Sequence, residues 1–92
     1  MENAVGPVLR MCEELERVIR AIVEDNSEQQ VDVVDCGAYV RVHAPRVLRL
    51  TLASLHRHVG RTFQLRQIEA MMPSFAGRIA TTSDQITWSL ES

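Results

Sequence analysis

From Glu13 to Glu24 the apolar residues Leu15, Val18, Ile19, Ile22 and Val23 return at intervals of three and four, with polar and charged residues between them. That spacing puts all five on one face of an α-helix. Glu13, Glu14 and Glu16 favour the positive N-terminal end of such a helix, and Glu13 with Arg17 and Glu16 with Arg20 form well-oriented pairs four residues apart. Asn26 follows as a residue suited to a left-handed stop. On either side the rhythm changes. "GPVLRM" opens with a turn-like Gly6-Pro7 and continues as a short first strand. After the polar turn "NSEQQ", Val31 to Asp35 and Ala38 to His43 are two β-rich runs that meet near Cys36 and Gly37. They read as a hairpin, with Ala38, Val40 and Val42 toward the core.

Pro45 breaks the second of these strands, and Val47 to Leu50 form another short run. Thr51 then caps a second helix with Leu52, Leu55 and Val59 on one face, and Gly60 ends it. A connecting segment leads to "SFAGRIATTSDQITWSL", where Ile86, Trp88 and Leu90 alternate with Gln85, Thr87 and Ser89. Thr82, Ser83 and Asp84 supply the turn of this second hairpin. The order is a loosely repeated βαββ unit without a repeat in sequence. It predicts an α+β fold, two helices covering one face of a mostly antiparallel sheet. With no linker or low-complexity stretch, residues 1–92 are expected to form a single domain.

Composition narrows the function. Hydrophobic residues make up 46% of the chain and charged ones 24%, enough for a core without a metal or a disulfide framework. A net charge of -2 opposes nucleic-acid binding, and the four aromatic residues Tyr39, Phe63, Phe75 and Trp88 are too scattered to stack bases. Trp88 belongs to the core of the alternating strand. All the strongly basic residues are arginine, distributed along the chain rather than in blocks. No apolar run is long enough to span a membrane and no signal peptide is recognisable, so Cys12 and Cys36 are expected as reduced thiols in a cytoplasmic protein.

Candidate chemistry is sparse. His56 and His58, two residues apart on a helix, point roughly 200° apart and cannot share one ion. His43 lies on the outward register of its strand with no Asp, Glu or Cys close in sequence. Gly6, Gly37, Gly60 and Gly77 are isolated, so no phosphate-cradling loop is present. No catalytic, cofactor or metal site is expected. A thiol-dependent enzyme using Cys36 and a small-molecule-sensing domain of ferredoxin-like or ACT-like type stay open beside a protein-binding role.

"GPVLR", "VEDN" closing the first helix, "GAYVRV" in the hairpin, "GRTF" after the second helix and "SFAGRI" followed by "DQITW" occur in a fixed order and spacing across nearly the whole chain. This collinear set, rather than any one motif, resembles the effector (coupling) proteins of soluble diiron monooxygenases. The likeness is closest to the toluene and alkene monooxygenase type, and more distant to the regulatory components of phenol hydroxylase and methane monooxygenase. It implies a cofactorless, non-catalytic α+β protein. Such a protein binds a large α/β/γ-type hydroxylase above its diiron site and couples O2 activation to oxidation of an aromatic or alkene hydrocarbon. A ferredoxin and an NADH-dependent reductase would complete the system. Neither rival accounts for the collinear motifs.

The resemblance also supplies a surface. The segment matching "MMPSFAG" lies where small and hydroxyl-bearing residues of the family approach the hydroxylase, so Met71, Met72, Pro73, Ser74, Phe75, Ala76, Gly77 and Arg78 are the expected interface. Met71 and Met72 would give adaptable apolar contact, Pro73 stiffness, Ser74 and Phe75 central contacts, Gly77 close backbone approach and Arg78 a rim charge. The competing reading makes Phe75 and the methionines core beneath the last hairpin. Two departures from the family pattern stand out. Only Met1 to Ala4 precede the first strand, against the long N-terminal tail of methane-type relatives, so tail-mediated docking is not expected. Where relatives are polar and acidic this chain has "RLTLASLHRHV", which suits the second helix to a different partner surface.

Overall fold

The computed structural model describes residues 4–90. Its elements are β1 (Ala4–Arg10), α1 (Leu15–Asp25), β2 (Asp32–Asp35), β3 (Tyr39–Pro45), β4 (Val47–Thr51), α2 (Leu52–His58), α3 (Leu65–Ala70), β5 (Ser74–Ala76), β6 (Arg78–Thr81) and β7 (Gln85–Ser89). The strands form two antiparallel sheets, a four-stranded one ordered β2-β3-β1-β5 and a three-stranded one ordered β4-β7-β6. The fold is α+β, as the periodicity predicts, with a division of the strands into two sheets that periodicity does not reveal.

The chain crosses between the sheets at two special backbone positions. Between β3 and β4, Arg46 takes a left-handed φ of 71°, and its carbonyl accepts from the Leu90 N–H at 2.9 Å. Between β5 and β6, Gly77 has a φ of 93°, and a Cβ there would lie 2.6 Å from the Ser89 carbonyl oxygen and 2.7 Å from Cγ1 of Val5. Gly6 is equally constrained: φ is 142° and a Cβ would lie 2.0 Å from the Val42 carbonyl oxygen. Gly6 and Pro7 therefore continue strand β1 rather than turning, and the β1–β3 register passes over them because Pro7 has no N–H to donate.

Val5 and Leu9 of β1, Val40, Val42 and Ala44 of β3, Leu48 and Leu50 of β4, and Ile86 and Trp88 of β7 build one continuous core. Leu15, Val18, Ala21 and Ile22 of α1 close it from one side, with Leu55 and Ile68 from the shorter helices. Val23 is exposed, contrary to its place in the apolar pattern, because it stands about 100° around the helix from Ile22. Ala38 is also exposed: it precedes β3, where the inward alternation begins at Val40. Leu90 lies past the end of β7 and turns partly to solvent.

Helix α3 stands where the sequence shows only a connection. Its first turn is closed by Gln67 Oε1 accepting from the Gln64 N–H at 2.8 Å, and Leu65 and Ile68 are its two buried anchors. α1 ends without the expected left-handed residue, since Asn26 has φ -124°. The stop is made by the Asn26 side chain, whose Nδ2 donates to the carbonyls of Ile22 and Arg49, each at 2.7 Å.

Candidate functional site

Residues 71–78 connect α3 to the second sheet, and the structure divides them by depth. Met71 caps α3 with 8% of its surface exposed, and its carbonyl accepts from the Arg10 N–H at 2.8 Å. Met72 packs partly against the core. From Pro73 onward the segment rises to the surface. Among the described residues strand β5 is an edge strand paired only with β1, in the register Val8↔Ser74, Pro7↔Phe75 and Gly6↔Ala76. Pro73 and Ser74 are exposed, Ala76 is half-buried, and Phe75 presents 44% of its surface although its register partner Pro7 is buried. The need for glycine at 77 arises inside the molecule, from Val5 and Ser89, rather than from an approaching partner. Arg78 is exposed at the start of β6, opposite Ser89. The segment thus joins a buried anchor, Met71, to a surface ridge running from Pro73 to Ala76.

This ridge borders a face that sequence reasoning missed. Across the four-stranded sheet one row runs Val34↔Arg41↔Val8↔Ser74, and Arg10↔Tyr39 lies beside it. These positions alternate with the core-facing Val40, Val42 and Leu9, so they look away from the core. Val8, Cys36, Tyr39, Arg41, Pro73 and Ser74 line a shallow groove there, and no helix residue borders it. The available signal was the alternation in "YVRVH", which marks Tyr39, Arg41 and His43 as one outward set.

Among the described residues the titratable groups make mostly local or helix-joining contacts. His43 sits opposite Asp32 on this face, and its ring is held below the ordinary value of 6.5 first by burial and then by Arg41, with a Gly6 backbone hydrogen bond and Asp32 acting the other way. The folded state therefore favours the neutral ring. Stability from this group is complete above about 6.5 and is lost as pH falls through the lower folded value. The melting temperature should decline as pH drops below about 6.5, with a shallower decline in His43→Gln, and equal pH profiles for the two proteins would contradict the assignment. Cys36 is exposed and its thiol meets only the Val34 carbonyl at 3.7 Å, with no histidine or carboxylate bonded to it among the described residues.

His56 and His58 are separated as expected: His56 Nε2 lies 3.1 Å from the Phe63 carbonyl oxygen and His58 Nε2 lies 3.3 Å from Glu24 Oε1. Glu24 also pairs with Arg57, which is the main reason its carboxyl is held below the usual 4.5. Beside it, Asp25 accepts from the Thr51 N–H at 2.7 Å and from the Ser54 hydroxyl at 2.6 Å, so the end of α1 caps the start of α2. These polar groups join helices. Among the described residues no three His, Cys, Asp or Glu side chains gather as a metal site, and no helix is long and apolar enough to cross a membrane.

Comparison with known proteins gives this architecture a place. The chain is 44% identical over 87 residues to the alkene monooxygenase system effector subunit of Xanthobacter autotrophicus (strain ATCC BAA-1158 / Py2), covering 95% of this chain and 86% of that protein. Its fold matches a chain in the structure of the phenol hydroxylase–regulatory protein complex with a TM-score of 0.85 at 18% identity, over 96% of this chain and 99% of that one. It matches the soluble methane monooxygenase regulatory protein B with a TM-score of 0.71 at 22% identity, over 97% of this chain and 66% of that one. The family model described as the MmoB/DmpM family matches residues 3–89, and the chain belongs to that family of monooxygenase effector and regulatory proteins.

Proposed function

We propose that this protein is a cytoplasmic, cofactorless regulatory subunit that binds the diiron hydroxylase of a soluble multicomponent monooxygenase. Its binding couples O2 activation to oxidation of an alkene or aromatic hydrocarbon, with a ferredoxin and an NADH-dependent reductase supplying electrons. The observation that carries this reading is the 44% identity to an alkene monooxygenase effector across 95% of the chain. The surface supports a binding role: the described residues present exposed apolar and aromatic side chains but no assembled nucleophile, acid–base pair or metal set.

Pro73, Ser74, Phe75 and Ala76 form the contact ridge, with Arg78 at its rim. Met71 and Met72 support it from beneath, one buried and one half-buried, so their part is to fix the ridge rather than to lead the contact. Phe75 is the anchor by size and exposure. Phe75→Ala should weaken hydroxylase binding roughly tenfold, while an exposed site predicts a melting temperature within a few degrees of the parent. Titration by fluorescence or calorimetry, paired with thermal melts, separates the two effects. A large loss of thermal stability with unchanged affinity would return Phe75 to the core.

A further inference from the structure

We propose that the outer face of the four-stranded sheet, centred on Arg41 and Tyr39 and left uncovered by the other described elements, is a docking surface for the hydroxylase. It takes a partner patch that sets a carboxylate opposite Arg41 within apolar surroundings. This rests on the reading of the protein as a hydroxylase effector, and it moves the centre of contact from the edge strand to the middle of the sheet.

Three observations point there. The face carries large exposed groups in one place: Val34 is 51% exposed and Tyr39 44% exposed, and Val8 lies between Arg41 and Ser74 in the same cross-strand row. The groove lined by Tyr39, Arg41, Pro73 and Ser74 makes this face continuous with the Pro73–Ser74 part of the ridge, while Phe75, in register with buried Pro7, alternates to the other side of the sheet. Arg41 is also unpaired among the described residues, whereas Arg20, Arg49 and Arg57 each hold a carboxylate. Residues 36–68 contain no Asp or Glu, and Asp32, the carboxylate that shares a groove of this face with Arg41, makes no ion pair with it.

Those features select the partner chemistry. Tyrosine and arginine are the residues that anchor protein interfaces, and a shallow open groove suits a protein surface better than an enclosed small molecule. A surface laid over Val8 and Val34 would strip water from the guanidinium between them. A desolvated arginine without a counter-charge is costly, so the covering surface must supply one, and a carboxylate fits the planar guanidinium in two-point fashion. On the opposite side of the same sheet, the groove between α1 and β2 is rimmed by Glu13, Glu16 and Asp35 and holds no arginine. That side suits a different charge.

The two cysteines provide an internal control. Cys36 lines the proposed surface and Cys12 lines the acidic-rimmed groove on the helix side, and both are exposed. Alkylation of each thiol is followed by peptide mass spectrometry, with and without saturating hydroxylase. Cys36 should be protected at least tenfold while Cys12 reacts at its free rate. Arg41→Glu should weaken binding tenfold or more and leave the melting temperature unchanged, with Arg41→Gln intermediate. If the complex forms but Cys36 stays as reactive as in the free protein, the sheet face is not the docking surface, and protection of Cys12 instead would assign docking to the helix side. Normal binding by Arg41→Glu alongside impaired binding by Phe75→Ala would confine contact to β5. Failure of the parent protein to bind hydroxylase at all would overturn the effector reading and this proposal with it.

Discussion

Asn26→Ala should cost about 3–5 kcal/mol, much of the roughly 5–14 kcal/mol available to a domain of this length, and lower the melting temperature by about 15–25 °C. Asn26 is fully buried at the end of α1. Its Nδ2 donates to the Ile22 carbonyl within the helix and to the Arg49 carbonyl in β4, while its Oδ1 accepts from the Arg49 N–H at 3.1 Å and from Gln29 Nε2 at 3.4 Å. One amide thus ties the last turn of the helix to the first strand of the second sheet. Alanine leaves the Arg49 N–H and two carbonyls without these partners inside the fold, and each buried unsatisfied group costs about 1–3 kcal/mol. Asp at this position keeps the shape but replaces a donor by a charge facing two carbonyl oxygens, so Asn26→Asp should be as damaging at neutral pH as Asn26→Ala. Denaturant and thermal unfolding of the two variants tests the point, and a melting temperature within a few degrees of the parent would show that water can replace the amide.

The importance of Asn26 illustrates what the sequence does and does not make legible. The α1 face, the two hairpins and the Thr51 cap are local, and periods of 3.6 and 2 expose them. Helix α3 is too short for that: six residues offer only Leu65 and Ile68 as inward positions, and its start is marked by Gln64 and Gln67 rather than by Ser, Thr or Asp. The division into two sheets rests on Arg46 and Gly77, whose backbone angles no pattern of polarity announces. Asn26 reads as a stop signal in sequence, yet its partner Arg49 is 23 residues away.

The candidate surface was legible to the same extent. Residues 71–78 could be singled out by resemblance, but the inward turn of Met71 and the outward one of Phe75 depend on how α3 meets the end of β1. The outer sheet face joins Val8, Val34, Tyr39, Arg41 and Ser74, which lie on four different strands or their ends. Alternation shows which side chains leave the core; only the tertiary structure shows that no other layer among the described residues covers them.

In a reconstituted system, omission of this protein should reduce product formation by up to about a hundredfold and divert part of the electron flow to peroxide. The protein supplies no redox group in this reading, so its effect must come from binding one hydroxylase state more tightly than another. Differential affinity is the only means by which a bound protein can shift such an equilibrium. A coupling free energy of about 1–3 kcal/mol between binding and active-site state corresponds to roughly a 5- to 150-fold change in their ratio, which spans the expected gain. Product yield per electron should rise on titration and saturate near one effector per hydroxylase active site. Replacing both Cys12 and Cys36 by Ser should leave the saturating yield intact, because both thiols are exposed and neither supports the core, while the change at Cys36, which lines the proposed docking face, can move only the concentration at which the yield saturates. Arg41→Glu and Phe75→Ala should instead move the titration to higher effector concentration and approach the same plateau, since their loss is in docking and not in the state selected. Measuring product and peroxide per NADH consumed across the titration, with binding followed independently, decides the matter. A yield that stays flat while the complex demonstrably forms would remove the coupling role and leave only a binding protein.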